Sequence, residues 1–301
     1  MFRLFLFGLI AFLTSLVQAQ TPTPNVGSDP QVGLAIIKTS QVAVVQALLV
    51  PGGRIATTVD SNFSAFLIKH GDDYLLFDTG MGNHIDRQYI QGMPAWWRPF
   101  FKYDKPVVSA RKQLDKAGIP TPKRVILSHS HWDHAGGVLD FPEAKIGVAA
   151  AELALIQNPS VGPGGTWHSQ ISATSIQWET LQFKPIPFKG YQESLDLFQD
   201  GKVVLVPMPG HTPGSIGLFV TTDSGAVYFL IGDVAWTVAA LKQGTPKFWA
   251  AAKLVDGQAA QTQAALEQVR ALMLAEPTLI VIPAHDSTVH DGLGYFPAWV
   301  K

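Results

Sequence analysis

The chain has 301 residues, 47% of them hydrophobic, with 22 Lys and Arg against 23 Asp and Glu and no cysteine. A net charge of −1 without a basic run argues against nucleic acid or a polybasic membrane anchor as partner, and this much apolar content excludes disorder over most of the chain. The missing cysteine removes disulfides, thiolate nucleophiles and Cys-ligated zinc, so histidine, present nine times, is the strong nitrogen ligand left for a metal.

In chain order, Arg3 precedes an apolar run from Leu4 to Leu13, and Val17-Gln18-Ala19 offers the residues a signal peptidase reads. Residues 1–19 are therefore expected to be a secretory signal. The run falls short of the ~20 residues of a spanning helix, so no stable membrane span is expected. Residues 20–32, with Thr21-Pro22-Thr23-Pro24 and Gly27-Ser28-Asp29-Pro30, read as a flexible lead-in. One domain then fills 33–301. Export without cysteine fits a secreted protein of the bacterial periplasm.

Ser64–Ile68 and Tyr74–Phe77 flank His70-Gly71-Asp72-Asp73 and read as a hairpin ending in Asp78-Thr79-Gly80. Val107 to Ala117 can be helical, stopped by Gly118 and Pro120. Lys123–Ser128, Val203–Val206, Val227–Ile231 and Leu279–Ile282 are strands with buried centres. Asp256 is expected to cap a helix running to Ala275, with Leu266, Val269 and Met273 as its apolar stripe. This order suggests a layered α/β domain with sheets in the middle. Several strands run straight into His, Asp or Gly, the place where active-site loops hang from a rigid sheet.

The sharpest of these is Ser128-His129-Ser130-His131-Trp132-Asp133-His134. Burying so many polar groups without a shared partner would cost several kcal/mol, whereas a metal accepts their lone pairs directly. His129 and His131 can point the same way along an extended segment, while Asp133 and His134 come from the turn that follows. The spacing therefore hints at two metal positions. Candidates to complete them follow other strands: His211 in Pro209-Gly210-His211-Thr212-Pro213-Gly214-Ser215, Asp233 after Gly232, and His285 in Pro283-Ala284-His285-Asp286. Asp78 can accept the second N–H of a ligand histidine and set its tautomer.

Taken in order, these motifs resemble the metallo-β-lactamase-fold hydrolase superfamily from about Ser64 to Asp286. The resemblance implies a four-layer αββα sandwich and two zinc ions. His129, His131 and His211 would hold the first, Asp133, His134 and His285 the second, and Asp233 would bridge them. It implies a hydrolase in which a hydroxide held between the ions attacks the substrate. Asp133 would orient that nucleophile and carry a proton to the leaving group.

Within the superfamily the chain is most similar to the lactonases and the periplasmic organophosphate hydrolases. The missing cysteine excludes a Cys-ligand lactamase. His131 stands where redox di-iron members carry Glu. Trp236 stands where many acyl-homoserine lactonases carry a Tyr that binds the oxyanion. Trp96, Trp97 and Phe100 in the stretch Met93–Tyr103, together with Trp132, Trp167, His168 and Trp236, are the candidate substrate pocket. They favour a small apolar ester, lactone or phosphotriester. The same stretch would serve equally as a homodimer face. The competing readings are a β-lactamase of the His/Asp-ligand type and a non-enzymatic exported zinc-binding protein.

Overall fold

A computed structural model describes residues 30–49, 52–158 and 164–300. The expected signal at 1–19 and all but the last residues of the lead-in lie outside them. One sheet runs, in spatial order, β1 (Val32–Val45), β2 (Thr58–His70), β3 (Asp73–Phe77), β4 (Arg124–Ile126), β5 (Lys145–Val148) and β6 (Gln177–Thr180). The second contains β7 (Leu195–Asp196), β8 (Val203–Pro207), β9 (Ile216–Thr221), β10 (Val227–Leu230) and β11 (Ile280–Ile282), again in spatial order. The helices are α1 (Gln46–Leu49), α2 (Ile85–Gly92), α3 (Ala110–Ala117), α4 (Ala150–Gln157), α5 (His168–Ile171), α6 (Val238–Gln243), α7 (Trp249–Val255), α8 (Ala259–Ala275) and α9 (Ser287–Leu293).

The two-residue period of a strand builds the layers. Leu34 and Ile36 of β1 and Phe66 and Ile68 of β2 point inward and pack with Leu205, Leu218 and Leu230 of the second sheet. Their neighbours Ala35, Ile37, Ala65 and Leu67 point outward, into one cluster with Leu114 of α3, Ile156 of α4 and Ile171 of α5. On the far side, Val204, Phe219 and Phe229 pack with Leu241 of α6 and with Leu266 and Val269 of α8. The architecture is the αββα sandwich that the sequence resemblance implies.

β2 and β3 form the expected hairpin, with His70 opposite Asp73. From β3 to β6 the pairing is parallel, as it is between β10 and β11. α3 starts three residues later than Val107 because Ser109 caps it, accepting the Lys112 N–H. Asp256 is a correction: α8 begins at Ala259 with Gln258 at its N-cap, and the Asp256 carboxylate caps nothing. It is taken up by an imidazole and an ammonium instead. Among the described residues no helix is long and apolar enough to cross a membrane.

Candidate metal centre

The polar strand ends meet at one edge of the sandwich. Asp78 follows β3, the segment 128–134 follows β4, and His211 lies in the connection from β8 to β9. Asp233 follows β10 and His285 follows β11. Asp78 sits at φ 58°, in the left-handed region that a non-glycine residue rarely adopts. Its N–H still donates to the Ile126 carbonyl at 2.8 Å, and its carboxylate turns back beneath the β4 loop.

Seven side chains converge there. His129, His131 and His211 bring ligand atoms within 4.8 Å of one another, and so do His129, His134 and Asp233, and Asp133, His134 and His285. Asp233 touches both halves of this group. Its Oδ1 lies 3.4 Å from His134 Nε2 and 3.1 Å from His285 Nε2, while Oδ2 lies 3.5 Å from His211 Nε2. Asp133 Oδ2 is 3.5 Å from His285 Nε2. All are buried except Asp133, which is partly exposed.

The opposite ring nitrogens fix which atoms point inward. His134 Nδ1 donates to Asp78 Oδ2 at 2.8 Å, His211 Nδ1 to Asp256 Oδ1 at 2.7 Å, and His285 Nδ1 to the Asn62 carbonyl at 2.8 Å. A carboxylate only accepts, so Ser128 spends its hydroxyl proton on Asp78 Oδ2 at 2.8 Å. Its oxygen then accepts from His129 Nδ1 at 3.0 Å. Each of these imidazoles is left with an Nε2 lone pair facing the centre. His129 Nε2 and His211 Nε2 end 3.2 Å apart, two acceptors with no proton between them. His134 Nε2 and Asp233 Oδ1 are buried without a hydrogen-bond partner. Such an arrangement is satisfied by a cation, and outward N–H bonds of this kind orient ligand histidines.

The electrostatics divide the histidines. Burial, reinforced by the neighbouring imidazoles, holds His129 and His131 well below the usual histidine range. Burial and then the Lys247 ammonium push His211 down as well. Burial also opposes charge on His134 and His285, but the carboxylates outweigh it: Asp78, Asp133 and Asp233 raise His134, and Asp233 raises His285. Burial would raise Asp233, yet His285 and His134 hold it well below the carboxylate range.

The family model of the metallo-beta-lactamase superfamily matches residues 61–285, three quarters of the chain. The chain belongs to that superfamily. A probable metallo-hydrolase of Mycobacterium tuberculosis is 32% identical over 53% of this chain and 52% of its own length. An N-acyl homoserine lactonase of Azorhizobium caulinodans is 26% identical over 58% of this chain and 65% of its own. The chain thus spans about half to two thirds of the curated relatives it matches. A solved N-acyl homoserine lactone hydrolase, with N-hexanoyl-L-homoserine at its catalytic metal centre, aligns at a TM-score of 0.70 and 16% identity, covering 90% of this chain and 99% of that one. A dizinc quorum-quenching lactonase aligns at a TM-score of 0.56 and 17% identity, covering 90% of this chain and 98% of that one. At such identities the likeness is one of fold.

In this superfamily member the expected pocket residues scatter. Trp132 and Trp167 are 4% and 3% exposed and stack on each other at 4.8 Å, in a cluster with Phe63, Met81, Ile85 and Met93. They are core beneath the site, because the ring of each is sealed by the other and by Tyr89. Trp97 packs half-buried against that cluster, whereas Trp96 and Phe100 stand 72% and 76% exposed. His168 lines a cavity of about 250 Å³ with Leu153, Ile156, Ile171 and Trp178, none of them a candidate ligand. Trp236 does reach the centre, donating its Nε1–H to Asp233 Oδ2 at 3.0 Å.

Sequence reasoning missed four residues. Glu152 of α4, fully buried, accepts from Ser130 N and Thr212 Oγ1 at 2.6 Å each and from Gly214 N at 3.2 Å, tying the His129/His131 loop to the His211 loop. Asn62 holds His285 through its backbone carbonyl, and Asp256 and Lys247 stand behind His211. The only signal for Glu152 is a charge inside an otherwise apolar stretch, and Lys247, after Gly244-Thr245-Pro246, carries none. Asn62 acts through a main-chain atom, which leaves no side-chain signature.

Proposed function

We propose that the chain is an exported dinuclear zinc hydrolase acting on small apolar esters or lactones, with phosphotriesters as the next class. The observation that carries the reading is the inward set of Nε2 lone pairs around the Asp233 carboxylate, with Asp78, Asp256, Ser128 and the Asn62 carbonyl fixing the rings from outside. His129, His131 and His211 would hold one ion and Asp133, His134 and His285 the other, with Asp233 between them. When bound, such ions lower the pKa of water to about 7 and act as Lewis acids toward a carbonyl or phosphoryl oxygen.

The rest is the work of the chain. Trp236 fixes Asp233 Oδ2, so the carboxylate keeps one orientation toward both halves of the group. Asp133 is the one member of the set that is partly open, which suits it to take a proton from the nucleophile and pass it to the leaving group. The stacked Trp132 and Trp167 pack the loop that carries His131 and Asp133 against a buried apolar cluster. Trp96, Phe100 and Trp249 are exposed apolar side chains in the segments that precede the 128–134 loop and follow Lys247. Such side chains suit an acyl or aryl group better than a polyanion. N-acyl homoserine lactonases recur among both the relatives and the structural neighbours, which supports the same class.

The test is metal content together with a hydrolysis panel. The purified chain is expected to carry zinc, to turn over aryl esters or lactones with little action on β-lactams, and to lose turnover on chelation. The reverse substrate order, or turnover indifferent to chelator, would overturn the reading. Residues 1–19 carry the export part of the proposal, and fractionation of expressing cells tests it.

A further inference from the structure

His211 is held unlike its companions. The partners of His134 and His129, Asp78 and Ser128, lie at the ends of β3 and β4, and the partner of His285 lies within β2. The partner of His211 comes from outside both sheets. Asp256 follows α7, a helix none of whose residues is buried. Lys247, two residues before α7, returns to the same point. Its Nζ lies 2.6 Å from Asp256 Oδ1 and 3.3 Å from His211 Nδ1, and the two charged side chains are only 2% and 4% exposed. The α7 segment is therefore clasped at its two ends by one ion pair, directly behind one imidazole.

The donor inventory fixes the direction of these bonds. Asp256 Oδ1 receives both the ammonium and the His211 Nδ1–H, because neither lysine nor this ring nitrogen has a lone pair to spare. Two main-chain bonds reinforce the junction: Gly257 N–H donates to the His211 carbonyl at 2.8 Å, and Gln258 N–H to the Gly210 carbonyl at 2.9 Å. No comparable side-chain pair from this segment reaches His134 or His285 among the described residues.

We propose that Lys247 and Asp256 are positioning residues for one metal position only, the one built by His129, His131 and His211, and that the clasp they form sets how tightly that position holds its ion. The proposal rests on the metal-binding reading above. Without Lys247, Asp256 is a buried carboxylate facing His211 with no counter-charge. Without Asp256, His211 loses the bond that selects its tautomer, and the ammonium faces the ring alone. In the first case the bond that aims the ring loses the ammonium that holds its acceptor in place, and in the second the bond itself is lost or weakened. The position built by Asp133, His134 and His285 keeps every one of its partners.

The experiment follows zinc retained per full-length chain against graded chelator, for the wild type, Lys247→Met and Asp256→Asn. Asp256→Asn keeps the volume of the side chain should Lys247→Met fold poorly. Loss of outward partners of this kind typically weakens metal binding roughly 10- to 100-fold. Both variants are expected to release one of two ions at chelator concentrations lower by that factor, while the second ion is released as in the wild type. The electronic spectrum of the cobalt-substituted chain is expected to lose the bands of one position alone. Release of both ions together would mark a merely structural role, and release unchanged from wild type would mark none. Either overturns the proposal while leaving the metal reading intact. A wild-type chain that binds no metal overturns that reading, and the proposal with it.

Discussion

Asp78 has no exposed surface and sits at a strained φ of 58°. What keeps it there is three donors on one carboxylate: Ser128 N at 2.7 Å, Ser128 Oγ at 2.8 Å and His134 Nδ1 at 2.8 Å. Truncation would orphan all three inside the protein, at about 1–3 kcal/mol for each buried group left unpaired. Alanine keeps a Cβ at the same φ, so the substitution recovers none of the backbone strain. Asp78→Ala is therefore expected to lower unfolding stability by about 3 kcal/mol, read by denaturant titration of the metal-stripped chain. A shift under about 0.5 kcal/mol, the usual range for an unimportant surface site, would contradict the argument. At this scale the sequence is informative where candidate ligands follow strands. His129 to His134, His211, Asp233 and His285 each sit just past an apolar run, and Asp78 does too. Asp256 was misread for a physical reason. An Asp two residues before a helical pattern is what a cap looks like locally, and only the fold reveals that a buried imidazole and an ammonium compete for it.

Two elements position candidate ligands through close contacts. At Gly210 the chain takes φ +145°, and a Cβ there would run into the backbone of Thr262 at the start of α8. The glycine thus lets the His211 loop lie directly against the helix that its own carbonyl meets at Gln258 N–H. Gly210→Ala combines a disallowed dihedral with a backbone overlap, so a loss of about 3 kcal/mol is expected, together with looser metal binding. Equilibrium unfolding with and without zinc measures both, and an unchanged midpoint would refute the close approach. On the other side of the centre, α9 carries His290, which is fully buried. Its Nε2 donates to the Pro283 carbonyl at 3.0 Å, and its Nδ1 accepts from Asn62 Nδ2 at 3.3 Å. Asn62 is the residue whose carbonyl holds His285. Burial pushes His290 down to about 4, against the opposing pull of the Pro283 carbonyl. The folded chain therefore binds fewer protons here than the unfolded chain, whose histidine titrates near 6.5. Stability from this group is complete above about pH 6.5 and is lost as pH falls toward 4, by about 3 kcal/mol in all. His290→Gln is expected to show a shallower fall of unfolding free energy between those two pH values, and parallel curves would remove His290 as the cause. Neither contact was legible beforehand. β1 carries no alternating signal because Val32–Ile37 are buried on both faces and apolar residues fill both.

At the scale of the whole molecule, the candidate ligands belong to both sheets. His129, His131, Asp133 and His134 hang from β4 in the first, whereas His211, Asp233 and His285 hang from β8, β10 and β11 in the second. Besides the inter-sheet core and the Glu152 carboxylate, which joins the Ser130 and Thr212 loops, direct main-chain ties cross between the halves at this edge. The Ile216 N–H reaches the Ser128 carbonyl at 2.9 Å, and Asn62 exchanges two bonds with His285. The layered order of strands and helices could be read from runs and caps, but the meeting of the two sheets could not, since their contacts span most of the chain. Ions held between the sheets would act as a cross-link that the unfolded chain cannot form. Binding to the folded state alone adds about 4 kcal/mol at a free concentration 1,000 times the Kd. For a chain of this size each kcal/mol moves the midpoint by roughly 2–4 °C. Stripping the metal is therefore expected to lower the thermal midpoint by about 10 °C, and returning zinc to restore it in proportion to the logarithm of its concentration. The same measurement on Asp233→Ala, which removes the carboxylate that faces both halves, is expected to show much of that zinc-dependent gain abolished. A zinc-dependent rise of equal size in that variant would mean the ion sits elsewhere, because no other carboxylate lies between His211 and the pair formed by His134 and His285 among the described residues.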